Sequence, residues 1–515
     1  MIVYYSILTL VFSVLLYLFY HLTKNYDYWK KRNVPYLKPS ILFGNYREYI
    51  LFKKCLQQVA QEICQKFADE PYVGVFYGTD PALIIKDPNL IKLVLTKDFY
   101  YFNQREISQY THKEPITQNM FFTGGDRWKV LRQNLTSLFS SSKLKNMFYL
   151  IENCANSLDN ALNKDLSNQN TIKIKSLLWR YTMDCIVTCA LGINTGTLVK
   201  DSKSNPFTII GEKKFGISNI AGFKMVCRSM WPALFYSLGL QMFPNDILKF
   251  FKKLLKDVFE SRGYKETPRN DFVDQVLSWK KKKYLSGDSI SNMRTGHKNN
   301  YNIQVDEDLL IAQCELLFAA GFETTSTTTS FLLFELAKNK NAQSRVLEEV
   351  DDYYKRHDGK IEFECINEMP FLQACLDESL RLYPVLGVLT REVSEDYTFP
   401  TGLRLEKGTR IHIPVYHLHH NPEYFLEPKQ FRPERFYGEE KKKIKPYTHI
   451  PFGEGPRICI GARFAKMPIT AGILTLLKNH SVELVEGMPR TLDFEPRALV
   501  THPKSEIILK FIPRK

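Results

Sequence analysis

The stretch Phe452-Gly453-Glu454-Gly455-Pro456-Arg457-Ile458-Cys459-Ile460-Gly461 runs into Ala462-Arg463-Phe464-Ala465-Lys466, whose pattern predicts a helix start. Three glycines surround one cysteine, and glycine permits tight turns and close backbone approach that a Cβ would block. Cys459 stands just before the helix, where unsatisfied N–H groups and the positive end of the dipole favour a thiolate. The segment reads as a mount that holds one sulfur still for a metal. Arg457, two residues earlier, brings a cation to the same place. A cysteine without such a setting is ordinarily a small buried hydrophobe, and the other cysteines are read that way.

The chain has 515 residues, 44% hydrophobic and 24% charged, with no internal repeat and no low-complexity tract, so it can bury a sizeable core. Its 70 basic against 55 acidic residues give a net charge of +15, which suits an acidic partner or an anionic membrane surface. No nucleic-acid-binding motif accompanies the charge, so nucleic acid is not an expected partner. The ten cysteines are scattered without a C-x-x-C pair, which fits reduced thiols facing the cytosol and not a disulfide scaffold.

Residues 2–22 contain no Asp, Glu, Lys or Arg. At about 1.5 Å per residue such a helix crosses a hydrocarbon core of about 30 Å. A cleaved signal peptide would show a basic start, a shorter apolar run and a small-residue cleavage site. Lys24 and Lys30-Lys31-Arg32 follow, so the positive-inside rule leaves the rest of the chain in the cytosol. The expected division is an anchor over 1–22, a basic and proline-bearing linker over 23–47, and one catalytic domain over 48–515.

Residues 72–85 read as a hairpin around Gly78-Thr79-Asp80-Pro81, followed by a short helix from Pro88 to Thr96. Trp128 and Arg132 are four apart and share a helix face, where an indole N–H and a guanidinium can donate to one carboxylate. Lys280 to Lys283, with Gly287 to Asn300, read as a solvated loop. The span 306–338 reads as one long helix carrying Ala319-Ala320-Gly321-Phe322-Glu323-Thr324-Thr325 in its middle. A glycine costs about 1 kcal/mol in a helix and clustered threonines lower propensity further; such local violations mark functional sites. An acid followed by a hydroxyl can relay protons through water. Glu378 and Arg381 place opposite charges at i and i+3 on another helix.

Phe452, Gly453, Gly455, Arg457, Cys459 and Gly461 fill a pattern that resembles the haem signature of the cytochrome P-450 monooxygenases. Ala320-Gly321-Phe322-Glu323-Thr324, Glu378 with Arg381, and Phe431-Arg432-Pro433-Glu434-Arg435-Phe436 resemble that family's further motifs, in the family's order. The idiom is most similar to insect microsomal, detoxification-type members. The resemblance implies a mainly α fold with a small β-rich subdomain and a single N-terminal transmembrane helix in the endoplasmic reticulum membrane. It implies a haem with Cys459 as axial ligand, a thiolate that pushes electron density to the iron and favours O–O cleavage. Trp128, Arg132, Arg391, Phe452 and Arg457 would contact the haem, the arginines at its propionates. Ala320, Gly321, Glu323 and Thr324 would border bound oxygen where the helix opens locally. Glu378, Arg381 and Arg435 would brace the core. Ile116, Phe121, Phe122, Leu386, Val388 and Leu499 would line the substrate pocket, and residues 205–260 would touch the membrane.

The implied reaction inserts one atom of O₂ into a lipophilic small molecule, a xenobiotic or an endogenous lipid or hormone. Electrons would come from NADPH through a separate reductase, with cytochrome b5 as a further partner and Lys129, Lys441, Lys442, Lys443, Lys445 and Lys466 as a docking face. The lack of a Gly-rich dinucleotide fingerprint agrees with an external donor. A haem-thiolate isomerase or dehydratase and a non-catalytic haem sensor or carrier remain open alternatives, the Glu323–Thr324 pair favouring O₂ activation. Two departures stand out: Pro468 inside the helix after Cys459, where a kink is expected, and Asn421 where the family commonly has Asp.

Overall fold

The computed structural model describes residues 1–199, 204–267 and 271–514. Helix α1 (Ile2–Thr23) buries none of its side chains against the body and is long and apolar enough to cross a membrane. Strands β1 (Tyr72–Tyr77) and β2 (Asp80–Ile85) precede helices α2 (Gly125–Thr136), α3 (Ser141–Leu166) and α4 (Ile174–Leu191). Four helices follow: α5 (Pro206–Phe215), α6 (Asn219–Met230), α7 (Pro232–Ser237) and α8 (Asn245–Ser261). Strands β3 (Tyr284–Asp288) and β4 (Asn300–Gln304) lead to α9 (Glu307–Lys338) and α10 (Pro370–Leu382). Strands β5 (Leu389–Glu392) and β6 (Arg410–Ile413) and helix α11 (Ala462–Lys478) complete the main elements.

Helix α9 runs through the centre. Asp306 caps it by accepting the Leu309 N–H at 2.7 Å, acids fill its first turn and Lys338 its last, matching the dipole. It is buried nearly all round, the signature of a helix enclosed by others. Helix α4 packs along it, and α8, α10 and α11 surround it. Gly321 makes the α4 approach possible, because a Cβ there would strike the Ile186 side chain. The helix is continuous through Gly321 to Thr325, so the expected local opening is not present; close packing on α4 explains the glycine.

The main sheet has the order β1-β2-β6-β5, with β2 and β6 parallel and the other pairs antiparallel. Gly78, at φ 68°, makes the two-residue turn between β1 and β2. From Trp29 onward the expected linker is part of the body. Trp29 is fully buried and its Nε1–H donates to the Val75 carbonyl at 2.9 Å, Tyr36 bridges Gly74, and the Phe76 N–H donates to the Asn45 side chain at 2.7 Å. A buried indole holds the segment more firmly than its two prolines stiffen it.

Residues 284–304 correct the loop expectation. They form the β3–β4 hairpin, which docks on α2: Ser289 and Ile290 both donate to Asp126, at 2.8 and 2.6 Å, and Lys129 donates to the Ser289 carbonyl at 3.3 Å. Leu285 and Ile303, on paired positions, supply the buried apolar contact that a solvated loop lacks. Helix α11 continues through Pro468 to Lys478. The Tyr181 hydroxyl donates to the Pro468 carbonyl at 3.0 Å, and Gly472 lies against the same ring.

Candidate active site

The cysteine loop is closed by its own backbone. The Cys459 N–H donates to the Phe452 carbonyl at 2.9 Å, and the Gly453 N–H to that of Ile450 at 3.0 Å. Gly453 and Gly455 adopt φ 75° and 70°, and a Cβ on Gly455 would run into the Leu95 carbonyl oxygen. Gly461 is the N-cap of α11. Burial pushes the Cys459 thiol up, while the Gly461 N–H and the Arg132 charge pull the other way. Cys459 is the one exposed cysteine of the ten, although its loop packs deep in the protein. On α9, Ala320 is exposed and Thr324 half-buried in a helix whose other residues are almost all buried. Cys459 on its loop and Ala320 and Thr324 on α9 thus keep accessible surface where their surroundings are otherwise buried.

Four guanidiniums gather near the cysteine loop. Arg457 feels the charges of Arg105, Arg132 and Arg391. Burial first and mutual repulsion second push Arg457 well down; Arg105 falls to about 9 and Arg391, by burial alone, to about 10. Among the described residues none of the four is ion-paired, and the Nε groups of Arg105 and Arg391 are buried without an acceptor. Buried charge without a counterion is strongly disfavoured, so this donor set fits a group carrying carboxylates. Together with a thiol at a helix N-terminus, it fits a haem with its two propionates. Phe452 is half-buried in the cysteine loop itself.

Arg457 does more than face an anion. Its Nε and Nη2 donate to the Asn103 carbonyl at 3.0 and 2.7 Å, Nη2 also to that of Thr123, and Nη1 to that of Phe121 at 3.5 Å. Its Cζ lies 4.6 Å from the Trp128 ring centroid, so the buried indole supports Arg457 from below. Arg105 stacks on Phe121 at 3.8 Å. Sequence reasoning missed Arg105: it lies in an aperiodic segment, and only the tertiary arrangement brings it to Arg391.

Glu323 and Thr324 face different ways. The Thr324 hydroxyl donates to the Ala320 carbonyl at 2.6 Å. The Glu323 carboxylate accepts from Lys175 Nζ at 2.7 Å and from Trp179 Nε1 at 2.7 Å, both on α4. Burial opposes ionisation of Glu323, but Lys175 outweighs it and holds the carboxyl below its ordinary range. Glu323 also lines a cleft of about 340 Å³ with Lys175, Trp179 and His502, which opens toward Lys504 and Glu506 at the surface.

Glu378, Arg381 and Arg435 come together. Arg381 binds Glu378 through two bonds of 2.7 and 2.9 Å, with both side chains fully buried, and Arg435 Nε reaches Glu378 at 3.4 Å. Arg381 spends its remaining donors on the carbonyls of His419, Pro428 and Gln430, and the Arg432 N–H completes Glu378 at 2.8 Å. Of the pocket candidates, Phe121, Phe122, Leu386, Val388 and Leu499 are half-buried, whereas Ile116 is buried at 4% exposure behind them. Thr501 ties the turn after Leu499 to the chain before Leu386, its N–H donating to the Val385 carbonyl at 2.9 Å.

The family model described as Cytochrome P450 matches residues 34–511. Cytochrome P450 6B2 of Helicoverpa armigera is 34% identical over 507 residues, covering 98% of each chain. Cytochrome P450 6k1 of Blattella germanica is 34% identical over 96% of this chain and 94% of its own. Cytochrome P450 9e2, also of Blattella germanica, is 34% identical over 91% of this chain and 90% of its own.

Proposed function

This chain belongs to the cytochrome P450 family and is a haem-thiolate monooxygenase; from that premise we propose that it oxidises lipophilic small molecules with NADPH electrons delivered by a reductase at the endoplasmic reticulum. The observation that carries the site assignment is the set Arg105, Arg132, Arg391 and Arg457, two half-buried and two buried, which has no carboxylate partner among the described residues near Cys459. When bound, the haem supplies the activation of dioxygen.

The chain's own residues do the rest. Cys459 would supply the sulfur that holds the haem iron, its position fixed by the Phe452 carbonyl and the Gly461 N–H. Arg105 and Arg391, with N–H donors left unspent, and Arg132 would hold the propionates, and Arg457 ties the cysteine loop to residues 103–123. Thr324, half-buried on α9 with its hydroxyl on the Ala320 carbonyl, would stand beside the bound oxygen. Glu323, held by Lys175 and Trp179, faces the adjoining cleft, where it can exchange protons with water. Phe121, Phe122, Leu386, Val388 and Leu499 exclude water from the substrate. Glu378, Arg381 and Arg435 act as a structural brace.

Helix α1 anchors the chain with the body in the cytosol. Exposed Ile220, Phe223, Leu234 and Leu238 on and beside α6 and α7 rest on the same membrane. The basic docking face for the reductase, and for cytochrome b5, is narrower than its lysine count suggests. Lys129 is spent on the β3–β4 hairpin, and Lys441, Lys442 and Lys443 pair with Asp377, Glu439 and Glu440. Lys445 and Lys466 have no ion pair among the described residues.

Reconstitution of the purified chain with reductase, followed by product analysis over lipophilic compounds, tests the reaction. Cys459→Ala should abolish the thiolate-type spectrum of the ferrous carbon monoxide complex; persistence of that spectrum would end the ligand assignment.

A further inference from the structure

A second cleft, of about 300 Å³, opens between the β1–β2 turn, residues 106–110, the start of α7 and the strands β5 and β6. Two neighbouring pairs in the chain explain its lining. Arg391 and Glu392 are consecutive on β5, and successive strand residues point to opposite faces. Arg391 therefore goes to the cysteine loop and Glu392 to the cleft, and Arg105 and Glu106 divide in the same way. Glu392 is 6% exposed and has no ion pair among the described residues. Gln109 donates to one of its oxygens at 2.9 Å; the other has no partner among the described residues and faces the open space. Glu106 lies close enough to act on its charge and is held by a His412 ring nitrogen at 3.2 Å. Arg410 also lines the cleft, but its donors are spent: Nη1 on the Ser229 carbonyl at 2.9 Å, Nη2 on Met230 and Asp80 at 3.4 and 3.5 Å. Trp231 and Tyr110 complete the lining, Tyr110 stacked on Tyr236 with ring centroids 5.5 Å apart.

We propose that this cleft binds a small organic ammonium, a quaternary or protonated amine, through Glu392 and Glu106 with Trp231 and Tyr110 beside them. Charge decides the class of ligand. The carboxylates of Asp80, Glu106 and Glu392 face one guanidinium, that of Arg410, an excess of two negative charges with His412 neutral. Burial raises the Glu392 carboxyl to about 7 and Glu106 adds to the rise, so a cation beside it would bring the group back toward its ordinary range. The faces of Trp and Tyr attract ammonium groups by their quadrupoles. The volume stands at the small end of ligand sites, which suits a headgroup-sized molecule. A free amine and the choline headgroup of a membrane lipid share this chemistry, and Leu234, exposed on α7, stands among the lining residues. The site rests on the cleft's own residues and not on the monooxygenase reading.

The test is equilibrium dialysis of labelled phenyltrimethylammonium against the haem-loaded full chain in a maltoside detergent at pH 8, where Glu392 is ionised. 4-Phenylimidazole is added to ligate the iron and fill the haem pocket. The cation should bind saturably and more tightly than benzyl alcohol, with benzenesulfonate weakest. Glu392→Gln, uncharged and of the same shape, should weaken the cation on the order of tenfold, the size of one lost contact to a charged group, and leave benzyl alcohol unchanged. Glu106→Gln should act in the same direction, so the outcome does not hang on one variant. Trp231→Leu should cost about threefold. No saturable binding, a cation affinity unchanged within twofold in both Gln variants, benzenesulfonate binding as tightly as the cation, or binding seen only without the azole each overturns the site. Displacement of the probe by lysophosphatidylcholine and not by lysophosphatidylglycerol supports the site with a lipid headgroup as the source, and displacement by neither supports it with a free amine. Displacement by both overturns the charge preference. Dialysis needs no turnover, and the carbon monoxide spectrum of azole-free aliquots reads the thiolate separately, so failure of that reading and failure of the ammonium site give different results.

Discussion

Two arginine clusters in this molecule are built in opposite ways. Around Glu378, Arg381 has a bidentate carboxylate and three backbone carbonyls, and Glu378 receives a further backbone N–H. Around the cysteine loop, Arg105, Arg132, Arg391 and Arg457 have no carboxylate among the described residues, and two of them keep buried N–H groups without acceptors. The first cluster is complete within the chain and serves the fold. The second is complete only with a group that brings negative charge. Internal satisfaction separates structural charge from binding charge better than burial does, since each cluster mixes buried with half-buried arginines.

The contrast is tested most severely at the complete cluster. Glu378→Ala strands Arg381 in the core and should cost roughly 3–5 kcal/mol, seen as loss of folded protein or a large drop in the denaturant midpoint. A midpoint close to native would erase the distinction. Glu392, adjacent to Arg391, offers an intermediate case. It is buried at 6% exposure and accepts from Gln109 at 2.9 Å, and burial raises its carboxyl to about 7. A carboxyl raised on folding leaves stability intact below its unfolded value near 4.3 and removes it as pH rises through 7. Glu392→Gln should therefore change little at pH 4 and stabilise by about 3 kcal/mol at pH 8, read as a flattened midpoint-versus-pH curve. An unaltered slope between pH 5 and 7 would count against it.

At the incomplete cluster the same kind of deletion should act on haem retention, not on the fold. Arg391→Met should leave the unfolding midpoint of haem-free protein unchanged or raised, and speed haem transfer to a scavenger by about tenfold, equivalent to about 1.4 kcal/mol. A fold as damaged as that of Glu378→Ala would show that Arg391 belongs with the brace. The smallest effect is expected from Tyr181→Phe, which removes the bond to the Pro468 carbonyl. Its cost should be about 1 kcal/mol, and a value near zero would mean that the proline is accommodated by packing alone.

What was legible in the sequence was local. Asp306 before an apolar run announced the start of α9, Gly78 the hairpin turn, and three glycines around Cys459 a tight loop before a helix; each signal acts within a few residues. Glu378 and Arg381, one turn apart, are legible for the same reason. What escaped depends on partners far along the chain. Glu323 stands next to Thr324 in sequence, yet its direction is set by Lys175 and Trp179, 148 and 144 positions away. Arg105 acquires meaning only beside Arg391 and Arg457. Residues 284–304 lack strong alternation, and their pairing is decided by α2, which no pattern in the hairpin itself specifies. Trp29 likewise needs Val75 to show that its segment is folded.

Arg457 begins in the cysteine loop and ends on the carbonyls of Asn103, Phe121 and Thr123. Floor and ceiling of the reaction chamber are thus one unit for anyone who would re-engineer it. A chimera that borrows residues 103–123 from a relative to change what the enzyme accepts inherits a new seat for this strut, and with it a new tilt of the sulfur. Swaps that keep those three carbonyl positions in register should retain the cofactor; insertions among them should lose it before any change in selectivity can be measured.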